Sequence, residues 1–93
     1  MRTASGAELA RKLGISPARA MESLIKAQLI SAVLKRVEKH GLTHAELARR
    51  SGLPRSAVTG ILSGSLQKVT VDRVLRLVDA AGLVAEVRVR PAA

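Results

Sequence analysis

The chain has 93 residues, which is enough for one small domain over residues 1–93. It contains 16 Lys and Arg against 7 Asp and Glu, a formal net charge of +9, and it contains no Cys, Phe, Tyr or Trp. The absence of cysteine excludes disulfides, thiolate-held metal sites and cysteine nucleophiles. The absence of aromatic rings argues against proteins that stack unpaired bases, and the strong positive charge favours a polyanionic partner.

Capping residues and apolar spacing predict five helices, and the first two lie in the N-terminal half. A short helix over 7–13 opens with a capping box at Ser5. A Ser–Pro pair then begins a long helix over 17–39, which ends before Gly41. Because so long a helix is unusual in a small domain, a break near 28–31 is an open alternative.

Three shorter helices are predicted in the C-terminal half. The first opens with a capping box at Thr43 and stops at Gly52. The second begins near Pro54 and is broken by a Ser–Gly–Ser run. The third is capped by Thr70, carries apolar residues at helical spacing and ends before Gly82.

The C-terminal segment changes from helical to strand periodicity. From Ala85 to Arg90, small or apolar residues alternate with charged ones, and Pro91 ends the pattern. A single strand cannot pair its own backbone groups, so we expect it to pair antiparallel with the same strand of a second copy about a two-fold axis. A frayed tail, or one docked on the helices, is the alternative. The predicted dimerisation residues are Val84, Ala85, Val87 and Val89.

Residues 43–64 have the spacing of a DNA-binding helix-turn-helix. Ala48 is small where the two helices would cross, Gly52 supplies the positive φ of the turn, and Val58 packs the second helix onto the first. A plain pair of antiparallel helices is the alternative. The positive charge, the capping box and the flanking helices together favour DNA binding.

These motifs resemble a known family. Residues 43–82 resemble the Cro/lambda-repressor-type (Xre-family) helix-turn-helix, and residues 13–91 resemble a subgroup that includes HigA-type antitoxins of bacterial and phage toxin–antitoxin pairs. The resembling stretches are Leu-Gly-Ile-Ser at 13–16, Lys-Ala-Gln-Leu at 26–29, Gly-Leu-Thr at 41–43, Ala-Glu-Leu-Ala at 45–48, Leu-Arg-Leu-Val-Asp-Ala-Ala-Gly at 75–82 and Val-Arg-Val-Arg-Pro at 87–91. The resemblance implies a homodimer that binds a palindromic operator, often at its own promoter.

We therefore predict an all-α, five-helix helix-turn-helix domain of lambda-repressor type, with a C-terminal β-strand that forms an intersubunit two-stranded antiparallel ribbon. Its parts are an N-terminal segment (1–16), a helical domain (17–82) with the helix-turn-helix at 43–64, and a dimerisation strand (83–91). The expected function is that of an antitoxin-like repressor of its own operon. The alternative is an antitoxin whose main role is to bind a small toxin protein, with the region 1–30 as the docking surface.

The resemblance also implies which residues contact DNA. In such regulators, the first residues of the recognition helix enter the major groove, and here these are Arg55, Ser56 and Thr59, with Gly60 allowing close approach. An arginine can donate two hydrogen bonds to guanine O6 and N7, and a threonine methyl can contact thymine. A phosphate contact, or a solvated side chain, is the alternative for Arg55.

A second set of residues is expected to contact the phosphate backbone. His44 stands where relatives carry a glutamine that binds phosphate and braces the recognition helix, so this departure puts the brace in doubt. An exposed neutral histidine is the alternative. The predicted backbone contacts are Thr43, His44, Ser63, Ser65 and Lys68.

The N-terminal segment contains an echo of the helix-turn-helix. Residues 7–15 resemble residues 45–53 at an offset of 38. A second helix-turn-helix is one interpretation. We favour convergence of a short amphipathic helix that ends in glycine, because one long helix follows this first copy.

We expect no enzyme activity, no cofactor and no metal site. The two histidines, His40 and His44, flank Gly41 without a neighbouring carboxylate that suggests a metal site, and the sequence contains no Gly-rich phosphate loop. The apolar runs are too short for a membrane helix, and Met1–Gly6 does not begin a signal peptide. We therefore expect no membrane association and a cytoplasmic location, nucleoid-associated when DNA is bound.

Overall fold

A computed structural model describes residues 14–92. Within this range the chain forms four helices and no strand. They are α1 (Pro17–His40), α2 (His44–Ser51), α3 (Arg55–Leu62) and α4 (Val71–Ala80). The all-helical class and four of the five predicted helices are confirmed, and the helix predicted over 7–13 lies outside the described residues.

Helix α1 is continuous for 24 residues, so the alternative of a break near 28–31 is wrong. The side chain of Ser16 accepts a hydrogen bond from the backbone N–H of Arg19 at 3.2 Å, and Pro17 occupies the first helical position. The helix ends at Gly41, whose φ of +64° is the left-handed conformation that glycine adopts without strain.

The turn between α2 and α3 follows the sequence prediction. Thr43 accepts a hydrogen bond from the backbone N–H of Glu46 at 3.0 Å, which caps α2. Gly52 has φ +75°, and its N–H donates to the Ala48 carbonyl at 3.0 Å. The chain can therefore reverse within three residues and begin α3 directly after Pro54.

One hydrophobic core joins all four helices. α4 packs against both α1 and α2, and α2 packs against α3. The largest fully buried side chains are Val33, Leu47, Val58, Val74 and Leu77. Each such side chain stabilises the fold by about 1.5–3 kcal/mol relative to an exposed one. The core therefore fixes the orientation of α3 on the rest of the molecule.

Lys26 is buried on the inner side of α1, which the sequence pattern did not predict. Its Nζ lies 2.7 Å from Oε1 of Glu22, one turn earlier in the helix. The hydrogen bond from this ammonium group and its charge hold the pKa of the Glu22 carboxyl below its ordinary value. The carboxylate thus offsets the cost of burying a charged lysine.

The C-terminal segment leaves the core after Leu83. Residues 84–92 form neither helix nor strand in the single chain, and Val84, Val87 and Val89 are 89%, 82% and 90% exposed. Such exposure argues against a tail docked on the helices. The intersubunit ribbon stays a prediction, because it requires a second copy of the segment.

Candidate nucleic-acid interface

The outer surface of α3 brings the predicted base-reading residues together. Val58 is fully buried and anchors the inner side of the helix. Arg55, Ser56 and Thr59 are exposed, and at 3.6 residues per turn the three positions lie within about 100° of one another around the helix axis. The side chains expected to read base edges therefore share a single accessible surface.

Arg55 occupies a position that does not favour it for helix stability. It is the first residue of α3, and Pro54 before it provides no side-chain cap. The N-terminus of a helix carries partial positive charge, so a cation there is unfavourable by a few tenths of a kcal/mol up to about 1 kcal/mol. A positive side chain combined with uncapped backbone N–H groups makes this end of α3 suited to an anionic partner.

Gly60 is not required by the packing of the free protein. It lies within α3 without a positive φ, and a Cβ added there would meet no heavy atom within 4 Å. Because glycine weakens a helix relative to alanine, its presence here needs another reason. Close approach of a ligand to the α3 backbone would supply that reason.

His44 braces α3 directly. Its Nδ1 lies 2.9 Å from Oγ1 of Thr59, so the first residue of α2 is hydrogen-bonded to the exposed side of α3. The resemblance implied a glutamine in this role and placed the brace in doubt. In the structure, the hydrogen bond between His44 and Thr59 links α2 to α3 in the same way.

The predicted backbone-contacting residues differ in what they can donate. The Thr43 oxygen accepts from Glu46, so its hydroxyl hydrogen remains able to donate to a phosphate. The Ser63 hydroxyl instead donates to the Gly60 carbonyl at 2.9 Å, at the end of α3. Ser65 and Lys68 lie exposed on the loop between α3 and α4.

A family model described as a helix-turn-helix domain matches residues 9–90. The chain belongs to this helix-turn-helix family. No curated protein and no solved structure matches the chain. The family suggests a DNA-binding regulator, with α2 and α3 as the two helices of the motif and α3 as its recognition helix.

Two further residues in or near this helix-turn-helix, Ser51 and Arg19, were not predicted from the sequence. Ser51 is buried at the end of α2, where its hydroxyl donates to the Ala48 carbonyl at 3.4 Å and accepts from the Leu53 N–H at 3.2 Å. Arg19 and Lys68 line a shared open cleft of about 490 Å³ between α1 and the loop after α3. The cleft places a residue of α1 beside the predicted backbone-contacting loop.

None of the helices described within residues 14–92 is both long and apolar enough to cross a membrane.

Proposed function

We propose that this protein is a sequence-specific regulator of transcription, of the Xre type, that binds a palindromic operator as a homodimer and represses its own operon. The observation that most supports this proposal is the outer surface of α3, where Arg55, Ser56 and Thr59 are exposed while Val58 packs the helix onto the core. This arrangement supports insertion of α3 into a major groove, where side chains at the helix N-terminus reach base edges.

Phosphate contacts supply most of the affinity in this proposal. The net charge of +9 suits a polyanion, and contacts to phosphates fix the register of a protein on the duplex without reading sequence. Thr43 and His44 at the start of α2, with Ser65 and Lys68 after α3, flank the recognition helix on both sides along the chain. We assign these four residues to phosphate contacts.

Dimerisation through the tail completes the proposal. The alternating pattern of residues 85–90 and the exposure of its valines are the properties of a strand that pairs with a second copy. The family match extends to residue 90, so the tail falls within the matched domain. Two recognition helices about 34 Å apart would then enter successive major grooves on one side of a palindromic operator.

The deciding experiment is binding of the purified protein to the DNA upstream of its own gene, compared with random DNA, at two salt concentrations. We expect selective binding by a dimer, with an affinity that falls steeply as salt rises. Weak binding with no preference between the two DNAs would contradict the proposal.

An antitoxin whose main role is to bind a toxin protein is the second candidate. Three large apolar side chains on the N-terminal half of α1, Met21, Leu24 and Ile25, are 55%, 47% and 45% exposed. Apolar side chains clustered at helical spacing on an exposed surface suit protein docking. Such binding should respond little to salt, and a short toxin-like reading frame beside this gene would favour it.

A further inference from the structure

We propose that His44 determines which base edge Thr59 can read, by setting whether the Thr59 hydroxyl hydrogen is available to DNA. The inference rests on the proposed function and deepens it. The observation behind the inference is the hydrogen bond between the two residues. Nδ1 of His44 and Oγ1 of Thr59 are 2.9 Å apart, and Thr59 is exposed on the recognition helix. A hydroxyl has a single hydrogen, so its use in the brace decides what remains for DNA.

The neutral ring with its hydrogen on Nε2 leaves Nδ1 as an acceptor. Thr59 must then donate its hydrogen to His44, and only its lone pairs face the groove. In this state Thr59 accepts from adenine N6 or cytosine N4, the two amino groups that the major groove displays.

The protonated ring carries hydrogens on both nitrogens. Nδ1 of His44 then donates to Oγ1 of Thr59, and the hydroxyl hydrogen turns outward. In this state Thr59 can donate to guanine O6 or N7, to adenine N7 or to thymine O4, and one of its lone pairs also remains free. The same side chain thus gains the ability to donate to a base, which it lacks while it donates to the neutral ring, without any movement of the backbone.

A phosphate beside His44 selects which nitrogen of the neutral ring carries the hydrogen. A neutral imidazole with its hydrogen on Nδ1 presents a lone pair at Nε2, which phosphate oxygens repel. On DNA the ring is therefore either neutral with Nε2–H or protonated, and both forms donate to phosphate. Histidine changes charge near neutral pH, so whether the Thr59 hydroxyl can donate a hydrogen bond to a base depends on pH in the bound state.

Several other charged groups lie on the elements packed around the brace. On α2 itself the nearest in sequence is Glu46, and on α3 it is Arg55. The remaining groups on α2, on α4 and at the end of α1 are Arg49, Arg50, Asp72, Arg73, Arg76, Asp79, Lys39 and His40. Arg50 donates to a backbone carbonyl, Asp72 pairs with Arg76, and His40 is the second of the two histidines in the sequence.

The test measures base preference at every operator position at roughly pH 6 and pH 8, the range over which histidine changes charge. Four proteins are compared: the wild type, His44→Gln, Thr59→Val and the control His40→Asn. Thr59→Val removes the hydroxyl from an exposed position while keeping the shape, and circular dichroism checks that each variant is folded.

In the wild type we expect one operator position to change base preference by about 5-fold or more, from adenine or cytosine at roughly pH 8 towards guanine or thymine at roughly pH 6. The change should persist in His40→Asn. It should vanish in Thr59→Val and in His44→Gln, where glutamine can brace the threonine but does not titrate.

Two results would overturn the inference separately from the proposed function. One is a selective wild-type protein whose base preference is the same at both pH values, and the other is a pH-dependent preference that survives in Thr59→Val. Absence of any sequence preference at either pH would instead overturn the proposed function, and the inference with it.

Discussion

Arg36 on α1 donates from Nε to the carbonyl oxygen of Ala81 at 3.1 Å, at the C-terminal end of α4. Arg50 on α2 reaches the same end and donates to the carbonyl of Ala80 at 3.3 Å. The C-terminus of a helix carries partial negative charge and unpaired carbonyls, so two guanidinium groups stabilise it from both neighbouring helices. Arg50 therefore holds α2 of the helix-turn-helix on α4, while Arg36 joins α1 to α4, and we do not assign either arginine to DNA.

We expect Arg36→Ala to lower the free energy of unfolding by about 1.5–3 kcal/mol, the range for hydrogen bonds that involve a charged group. Urea denaturation followed by circular dichroism measures the change. The control is Arg76→Ala, which removes an exposed pair with Asp72 and should cost about 0.3–0.5 kcal/mol. Equal losses in the two variants would show that the Arg36 bond contributes no more than a surface contact.

The pair formed by Glu22 and Lys26 predicts a pH-dependent contribution to stability. The pKa of the Glu22 carboxyl is lowered in the folded protein, chiefly by the hydrogen bond from Lys26 and by its charge. The carboxylate therefore stabilises the fold above its ordinary pKa of 4.5, and this contribution is lost as the pH falls through the lower folded value.

Glu22→Gln should accordingly unfold at lower urea than the wild type at neutral pH, and the difference should shrink in acid. Glu38→Gln on the same helix is the matched control, because Glu38 is exposed and forms no ion pair among the described residues. A difference between wild type and Glu22→Gln that is constant with pH would contradict the assignment.

We expect Arg55 to contribute to DNA recognition although it is unfavourable for the stability of α3. Arg55→Ala should lower discrimination between operator and random DNA by about 1–3 kcal/mol, because a bidentate contact to guanine is lost. Lys68→Ala is the matched comparison and should weaken binding to all sequences alike, with a shallower salt dependence. Competition binding with both DNAs distinguishes them. An equal loss on both DNAs for Arg55→Ala would assign Arg55 to phosphate instead.

Gly60→Ala should separate stability from DNA binding. A methyl group fits in the free protein, so the variant should gain about 0.5–1 kcal/mol of stability from higher helix propensity. If DNA approaches the α3 backbone at this point, the same methyl group should lower operator affinity. Thermal unfolding and operator titration of one preparation measure both. A more stable variant with unchanged affinity would remove Gly60 from the interface.

The helices could be predicted from the sequence because their signals are local. Ser16, Thr43 and Thr70 each cap the N–H of the residue three positions later, as their spacing indicated. The bond from Arg36 to Ala81 joins residues 45 apart in sequence. Nothing in the local pattern pairs such residues, since their contact exists only after the helices pack.

In the candidate site, too, some features could be predicted from the local sequence and others depend on how the helices pack. The exposure of Arg55 and Ser56 followed from the positions of apolar residues along α3. The bond between His44 and Thr59 required the relative orientation of α2 and α3, which the turn at Gly52 and the shared core determine. The burial of Lys26 was missed because a lysine in an amphipathic helix is ordinarily solvated.

The C-terminal segment gives the last prediction, because its pairing depends on a second chain. Deleting residues 84–93 should produce monomers that bind the operator much more weakly, since two recognition helices are no longer held together. Val87→Pro tests the ribbon more finely, because proline removes a backbone donor from the ladder, and Arg88→Ala is its control. Size-exclusion chromatography with light scattering reports the mass of each variant. A dimer that survives the deletion would place the interface elsewhere, and the exposed apolar side chains of α1 would then be the next surface to change.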